Sequence, residues 1–312
     1  MHISEPALEP IVPPAALPST ILTFNSLLEA SGIDLANVLV FRHRPQEAAL
    51  NRALSWIAEE RHDLFRCYQS THNVRTEQAL MRASYVASFI RGKGSTAVFV
   101  GLYNVAGSRP LGRDECLARP EHVELVTLGM SGQFATDGRD TVLEFDLTET
   151  GWQPTWRGRL IVKWPPPDRS WYRWADRNVF EVSAIAQNSL LRAVVPAWDA
   201  MTLDWSELAL LPDAWKAALS QWRGIYLIID RSDGRQYVGS AYGAANMMQR
   251  WLDYARTGHG GNRQLRSRDA ANFRFSILQR VSPDLDADAV VAIETSWKHR
   301  LRTLIPYGLN EN

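Results

Sequence analysis

Residues 222–239 read WRGIYLIIDRSDGRQYVG, and the order of apolar and turn residues in them specifies a β-hairpin. Trp222–Asp230 is an apolar run of strand length, Asp233-Gly234 marks a tight reversal, and Gln236–Gly239 returns as a second strand. Tyr226 falls on the first strand and Tyr237 on the second. Small residues (Ser240, Ala241, Gly243) follow, then a helical segment, Ala244–Thr257, on which Arg250 and Tyr254 stand four apart and share a face. Gly258-His259-Gly260-Gly261 closes that helix, as glycine after a periodic stretch does. A short basic segment, 262–268, leads to a strand at Phe273–Leu278. Asp286 and Asp288 open a last helix whose buried stripe is Val290, Ile293, Trp297, Leu301 and Leu304, with Glu294 at its border. The chain closes on Gly308-Leu309-Asn310.

With these residues in place, 222–312 resembles the GIY-YIG nucleases found among homing endonucleases, excision-repair nucleases and some restriction enzymes. The matching positions are Gly224-Ile225-Tyr226, Tyr237-Val238-Gly239, Arg250, Glu294 and Asn310. Either tripeptide alone is a weak signal; five positions in order and in the expected elements are a strong one. The resemblance implies a small antiparallel sheet flanked by helices and hydrolysis of phosphodiester bonds. It also implies one divalent cation, Mg²⁺ or Mn²⁺, held by Glu294, and a hard ion suits one carboxylate plus waters and phosphate oxygens. Arg250 would fork onto the scissile phosphate. Tyr226 is expected as general base or water-positioner, with Tyr237 bonding the nucleophile or a phosphate and Asn310 orienting groups beside the metal. A free phenol titrates near ~10, so neighbouring cations would have to favour the phenolate. Tyr254 stands where many members carry His, so a His-based proton relay is missing there; His259 is a secondary candidate for one.

Charge is distributed unevenly. The 34 basic and 34 acidic residues cancel overall, yet 222–312 holds 13 basic and 9 acidic ones, a net of +4. Arg256, Arg263, Arg266 and Arg268, with His259, are expected to follow a DNA backbone next to the catalytic residues. A solvated basic face is the ordinary alternative. Of the basic residues 30 are Arg and four are Lys, a bias that genome composition explains and that also suits phosphate recognition.

The remaining two thirds are less specific. Residues 1–20, with five prolines, read as a flexible arm. Apolar spacing over 46–66 suggests one or two helices, and 77–91 another. Ala97–Tyr103, Val123–Leu128, Val142–Leu147 and Leu160–Trp164 carry strand signals, so 21–200 is expected as a mixed domain with a curved sheet or small β-barrel. Trp152, Trp156, Trp164, Trp171 and Trp174 alternate with arginines; a hydrophobic core with Arg stems around it and a base-stacking platform both fit that composition. Residues 88–103 faintly resemble PUA-like barrels, including modified-base readers. Residues 201–221 are expected as a linker carrying one short helix. The whole is an α+β chain.

Length and a 46% apolar composition exclude a wholly disordered chain. Two cysteines, Cys67 and Cys116, supply neither a zinc tetrad nor a disulfide framework. The start lacks the plan of a signal peptide and no apolar run is long enough for a membrane helix, so a soluble, cytoplasmic protein is expected. Three functions stand open. They are a restriction or phage-defence endonuclease whose first domain selects double-stranded DNA, with or without modified bases; a repair or mobile-element nuclease; and an inactive nucleic-acid-binding fold. Cutting both strands with one site per chain would suit a homodimer.

Overall fold

The computed structural model describes residues 21–243 and 246–311, and the arm at 1–20 lies outside them. Its strands sort into two sheets. In the first, β1 (Val38–His43) is buried along its whole length, the mark of a strand covered on both faces. Such a strand pairs in parallel only through a long crossover. Here the helices Ala48–Glu60, His62–Ser70 and Val74–Leu80 make it, delivering β2 (Tyr85–Arg91) parallel to β1. The very long β3 (Thr96–Gly112) pairs with β2, then with β4 (Thr141–Glu149) beyond it, and its start also pairs with β5 (Leu160–Lys163). β6 (Tyr172–Trp174) flanks β1 and β7 (Val182–Ile185) flanks β5. Bulges at Ser88/Phe89, Val105/Gly107 and Ile161/Val162 bend the strands, so the sheet curls. Among the described strands β6 and β7 end the order without pairing with each other, which leaves an open curled sheet and not a closed barrel.

Alternation along β1 divides the core. Leu39 and Phe41 face the crossover helices, packing with Leu54, Ile57 and Phe65. Val38 and Val40 face the other side with Phe24, Phe89 and Phe180. The crowded tryptophans serve these two cores: Trp152, Trp156 and Trp164 pack on the second, Trp171 and Trp174 on the first. Three of the interleaved arginines are spent internally, Arg157 on Glu149, Arg159 on the Ala186 carbonyl and Arg173 on Asn178, while Arg169 and Arg177 are exposed.

Two expectations are corrected. Val123–Leu128 is not a strand but belongs to the helix Pro120–Thr127, begun by proline at its first turn. His122, Leu125 and Leu128 are buried while Val123 and Val126 face water, a helical spacing that the β-branched residues obscured. The helix expected over 77–91 stops at Leu80, and Tyr85–Arg91 is β2, whose apolar run is buried on both faces.

The second sheet is antiparallel, in the order β10 (Gln236–Ala241), β9 (Gly224–Asp230), β11 (Phe273–Arg280), β8 (Thr202–Asp204). β8 comes from the stretch expected as a linker. Met201, Leu203, Leu208, Leu211 and Leu219 share one core with Tyr226, Ile228, Trp251 and Phe275, so 201–221 is part of this unit. The helix Asp213–Gln221 packs on the helix Asn246–Thr257. On the opposite face Ile225, Leu227 and Val238 meet Val290, Ile293, Trp297 and Leu301 around the helix Ala287–Arg300. Asp286 caps that helix by accepting from the Ala289 amide at 2.8 Å. Leu304 lies beyond it, in the turn that bridges to Asn310.

Candidate active site

The hairpin places its tyrosines through a close backbone approach. Tyr226 is fully buried and lies directly opposite Gly239 in the ladder. A Cβ on Gly239 would run into the Tyr226 hydroxyl, so glycine at the end of Tyr237-Val238-Gly239 makes the room the phenol occupies. Gly260 does the same for Tyr254: its φ is +53°, and a Cβ there would stand 2.6 Å from the Tyr254 ring.

A continuous hydrogen-bond chain follows. Arg250 Nε donates to Tyr226 Oη at 2.9 Å and its Nη1 donates to the Gly260 carbonyl at 3.1 Å. Tyr226 Oη and Tyr254 Oη are 3.0 Å apart, and Asn262 Nδ2 donates to Tyr254 Oη at 2.7 Å. Tyr237 Oη donates to Asn262 Oδ1 at 2.9 Å. Asn262 was not among the expected site residues. An Asn before a helix ordinarily reads as its cap, but here the side chain makes no cap bond to the helix Arg263–Arg266 and turns to the tyrosines.

Burial pushes the Tyr226, Tyr237 and Tyr254 phenols above the ordinary tyrosine range, and the Arg250 charge offsets only part of that. At neutral pH all three hold their protons. Tyr226 therefore acts on Arg250 as an acceptor that fixes the plane of the guanidinium.

Glu294 projects from the helix Ala287–Arg300 toward β10. Ser240 Oγ donates to its Oε2, and Lys298 Nζ lies 2.7 Å from its Oε1. Tyr237, Ser240, Arg250 and Glu294 line one open cleft of about 390 Å³, with Asn246 and Gln249 among its walls. Tyr226 and Tyr254 stand behind that wall. Asn310 lies elsewhere: its Oδ1 accepts from the Val238 amide at 2.9 Å and its Nδ2 donates to the Val238 carbonyl at 2.8 Å. Both ends of the amide are thus used to hold β10 in place, and Asn310 is not among the cleft-lining residues.

No family model matches the chain, and none of the curated proteins is similar to it. Two solved structures are. One is the catalytic domain of the intron endonuclease I-TevI as a glutamate-to-alanine mutant, 24% identical over 30% of this chain and 95% of that one, with a TM-score of 0.25. The other is the catalytic domain of the homing endonuclease I-TevI, 25% identical over 29% of this chain and 98% of that one, with a TM-score of 0.24.

The expected backbone-binding residues divide. Arg263 and Arg266 are exposed, Arg263 being 4.0 Å from Glu311. Arg256 is exposed and pairs with Asp253 at 2.9 Å. His259 is half-buried, with Nδ1 accepting from the Gly261 amide at 2.9 Å. Arg268 is spent otherwise: it bonds Asp230 at 2.6 Å and Asp233 at 3.0 Å and is largely covered. It bridges the two aspartates of the hairpin turn, which Ser232 and Arg235 also bond.

Proposed function

We propose that the chain is a metal-dependent endonuclease of the GIY-YIG type that hydrolyses double-stranded DNA. The observation that carries this reading is the convergence of Tyr237, Arg250 and Glu294 on one open cleft. Phosphodiester hydrolysis needs a positioned water and cationic support where charge grows on the phosphoryl oxygens. Arg250 offers that support. Tyr226 and the Gly260 carbonyl hold its Nε and Nη1, and Nη2 makes no hydrogen bond among the described residues. Tyr237 lines the cleft, as does the exposed Tyr242, and with the Tyr237 proton committed to Asn262 its oxygen is left to accept from a water.

Among the described residues no group of three or more His, Cys, Asp or Glu gathers as a metal cluster. Of the two carboxylates lining the cleft, Asp253 pairs with Arg256, and Glu294 fits a hard ion that keeps most of its waters. Glu294 would hold Mg²⁺ or Mn²⁺, and the ion would supply Lewis-acid polarisation of a phosphoryl oxygen. Residues 21–200, as a PUA-like reader of modified bases, would select the DNA in a restriction or phage-defence enzyme, because phosphate contacts alone specify no sequence. Two copies would cut the two strands.

Incubation with unmodified, methylated, hydroxymethylated and glucosylated duplexes, with and without Mg²⁺ or Mn²⁺, tests the reading. Metal-dependent scission lost in Glu294→Ala is the expected result; no scission of any duplex overturns it. The ion pair of Glu294 with Lys298 favours a second reading, an inactive nucleic-acid-binding fold, and retained DNA binding without scission is its signature.

A further inference from the structure

Lys298 stands out in a chain that uses arginine for nearly every cation. It is one of four lysines, and the other three, Lys93, Lys163 and Lys216, are exposed or half-exposed. Its side chain is 10% exposed and that of Glu294 14%, so the pair is largely withdrawn from water. One helical turn separates them, which brings the ammonium to Oε1 while Ser240 occupies Oε2. Both oxygens of Glu294, in the cleft wall shared by Tyr237 and Arg250, are therefore engaged by the chain itself. A charge so placed is costly without a partner, and the ammonium supplies one.

We propose that Lys298 is the resident cation of the site: it neutralises Glu294 at rest and competes with a divalent ion for Oε1. The inference rests on the metal role of Glu294 given above. A divalent ion reaches Oε1 only as the ammonium leaves it, and a flexible four-carbon stem with freely rotating donors permits that departure where a rigid guanidinium fork would resist it. The consequence is a site that holds its ion weakly until the cleft is filled, since a phosphodiester offers the displaced ammonium a new anion.

Mn²⁺ binding to the full chain without DNA, followed by titration calorimetry, tests the competition apart from activity. Lys298→Met should bind Mn²⁺ at least ~10-fold more tightly than the wild type, because the ion no longer displaces a charge. It should also gain more in melting temperature from added Mn²⁺. Glu294→Ala should abolish binding in both backgrounds. Unchanged or weaker affinity in Lys298→Met, with binding still dependent on Glu294, overturns the role of Lys298 and leaves the metal site standing. Binding that is absent, or indifferent to Glu294→Ala, overturns the metal site itself and the competition with it. The wild-type chain gives an independent readout if the variant does not fold. Saturating Mg²⁺ should raise reductive methylation of Lys298 relative to exposed Lys93 and Lys163, and unchanged labelling overturns the exchange.

Discussion

Arg250 is held by one acceptor on each of two nitrogens, the Tyr226 hydroxyl and the Gly260 carbonyl. A lysine there cannot satisfy both and still present a planar fork to a phosphate. Arg250→Lys should therefore lower kcat/KM for DNA cleavage by ~100-fold or more with little change in the melting temperature, which steady-state kinetics beside a thermal melt would check. Tyr237→Phe removes a phenol that lines the cleft and should slow turnover more than Tyr226→Phe, whose hydroxyl bonds Arg250 and Tyr254 behind the wall. Equal effects from the two would place the reacting water nearer Tyr226. Gly239→Ala pushes a methyl into the Tyr226 hydroxyl and should cost about 1–3 kcal/mol in urea unfolding, as overpacked cores do. That Tyr237, Arg250 and Glu294 belong together was an expectation from the motif, and they line one cleft, whereas Asn310 is committed to Val238. Asn262 was not legible before the structure, because a side chain that bonds two tyrosines in space leaves no mark in local spacing.

At the scale of elements, β1 and the turn between the second and third crossover helices bring His43 and His72 into the interior, with Phe41 lying edge-on to both rings. Burial lowers the His43 pKa to about 3 and that of His72 to about 4. An unfolded histidine takes its proton near ~6.5, so the unfolded chain binds more protons than the folded one below that pH. Folding stability should thus be full above pH ~6.5 and fall as pH drops, by up to about 1.4 kcal/mol per unit for each ring. Denaturant unfolding of the wild type and of His72→Phe between pH 4 and 7 checks this, and the variant should show the shallower slope. In the second unit the hairpin, β11 and the two longest helices were readable from period and turn residues, whereas β8 and the helix Arg263–Arg266 were not. Val123–Leu128 misled because β-branched residues in a short helix mimic a strand, and the exposure that tells them apart is tertiary.

For the whole molecule, the stretch 201–221 alters where the chain can be cut. Met201, Leu203, Leu208, Leu211 and Leu219 are buried in the core that carries Tyr226, with Val195 and Trp198 against it. Each such aliphatic side chain is worth about 1.5–3 kcal/mol, and a domain of this size is stable by only about 5–15 kcal/mol in total. A fragment 195–312 should fold cooperatively, whereas 222–312, the span of the family resemblance, should not. Circular dichroism melts of the two fragments decide it. Arg52, on the helix Ala48–Glu60, reaches Asp204 at 3.3 Å and Glu207 at 3.0 Å and so ties the first unit to the second. Its side chain is half exposed, and Arg52→Ala should cost no more than about 1 kcal/mol. Among the described residues no helix is long and apolar enough to cross a membrane.

Alternation of apolar residues, the glycine that turns the hairpin and the linear order of Tyr226, Tyr237, Arg250 and Glu294 belong to the chain as written, and the amino-acid sequence by itself determined them. The curl of the first sheet, the inclusion of 201–221 in the second core and the commitment of Arg268 and Asn310 to structure were decided only by the tertiary structure. The physical reason is range. Periodicity and turn chemistry act over a few residues, whereas which charge meets which, and which strand covers an edge, depends on segments that meet only after the chain has closed on itself.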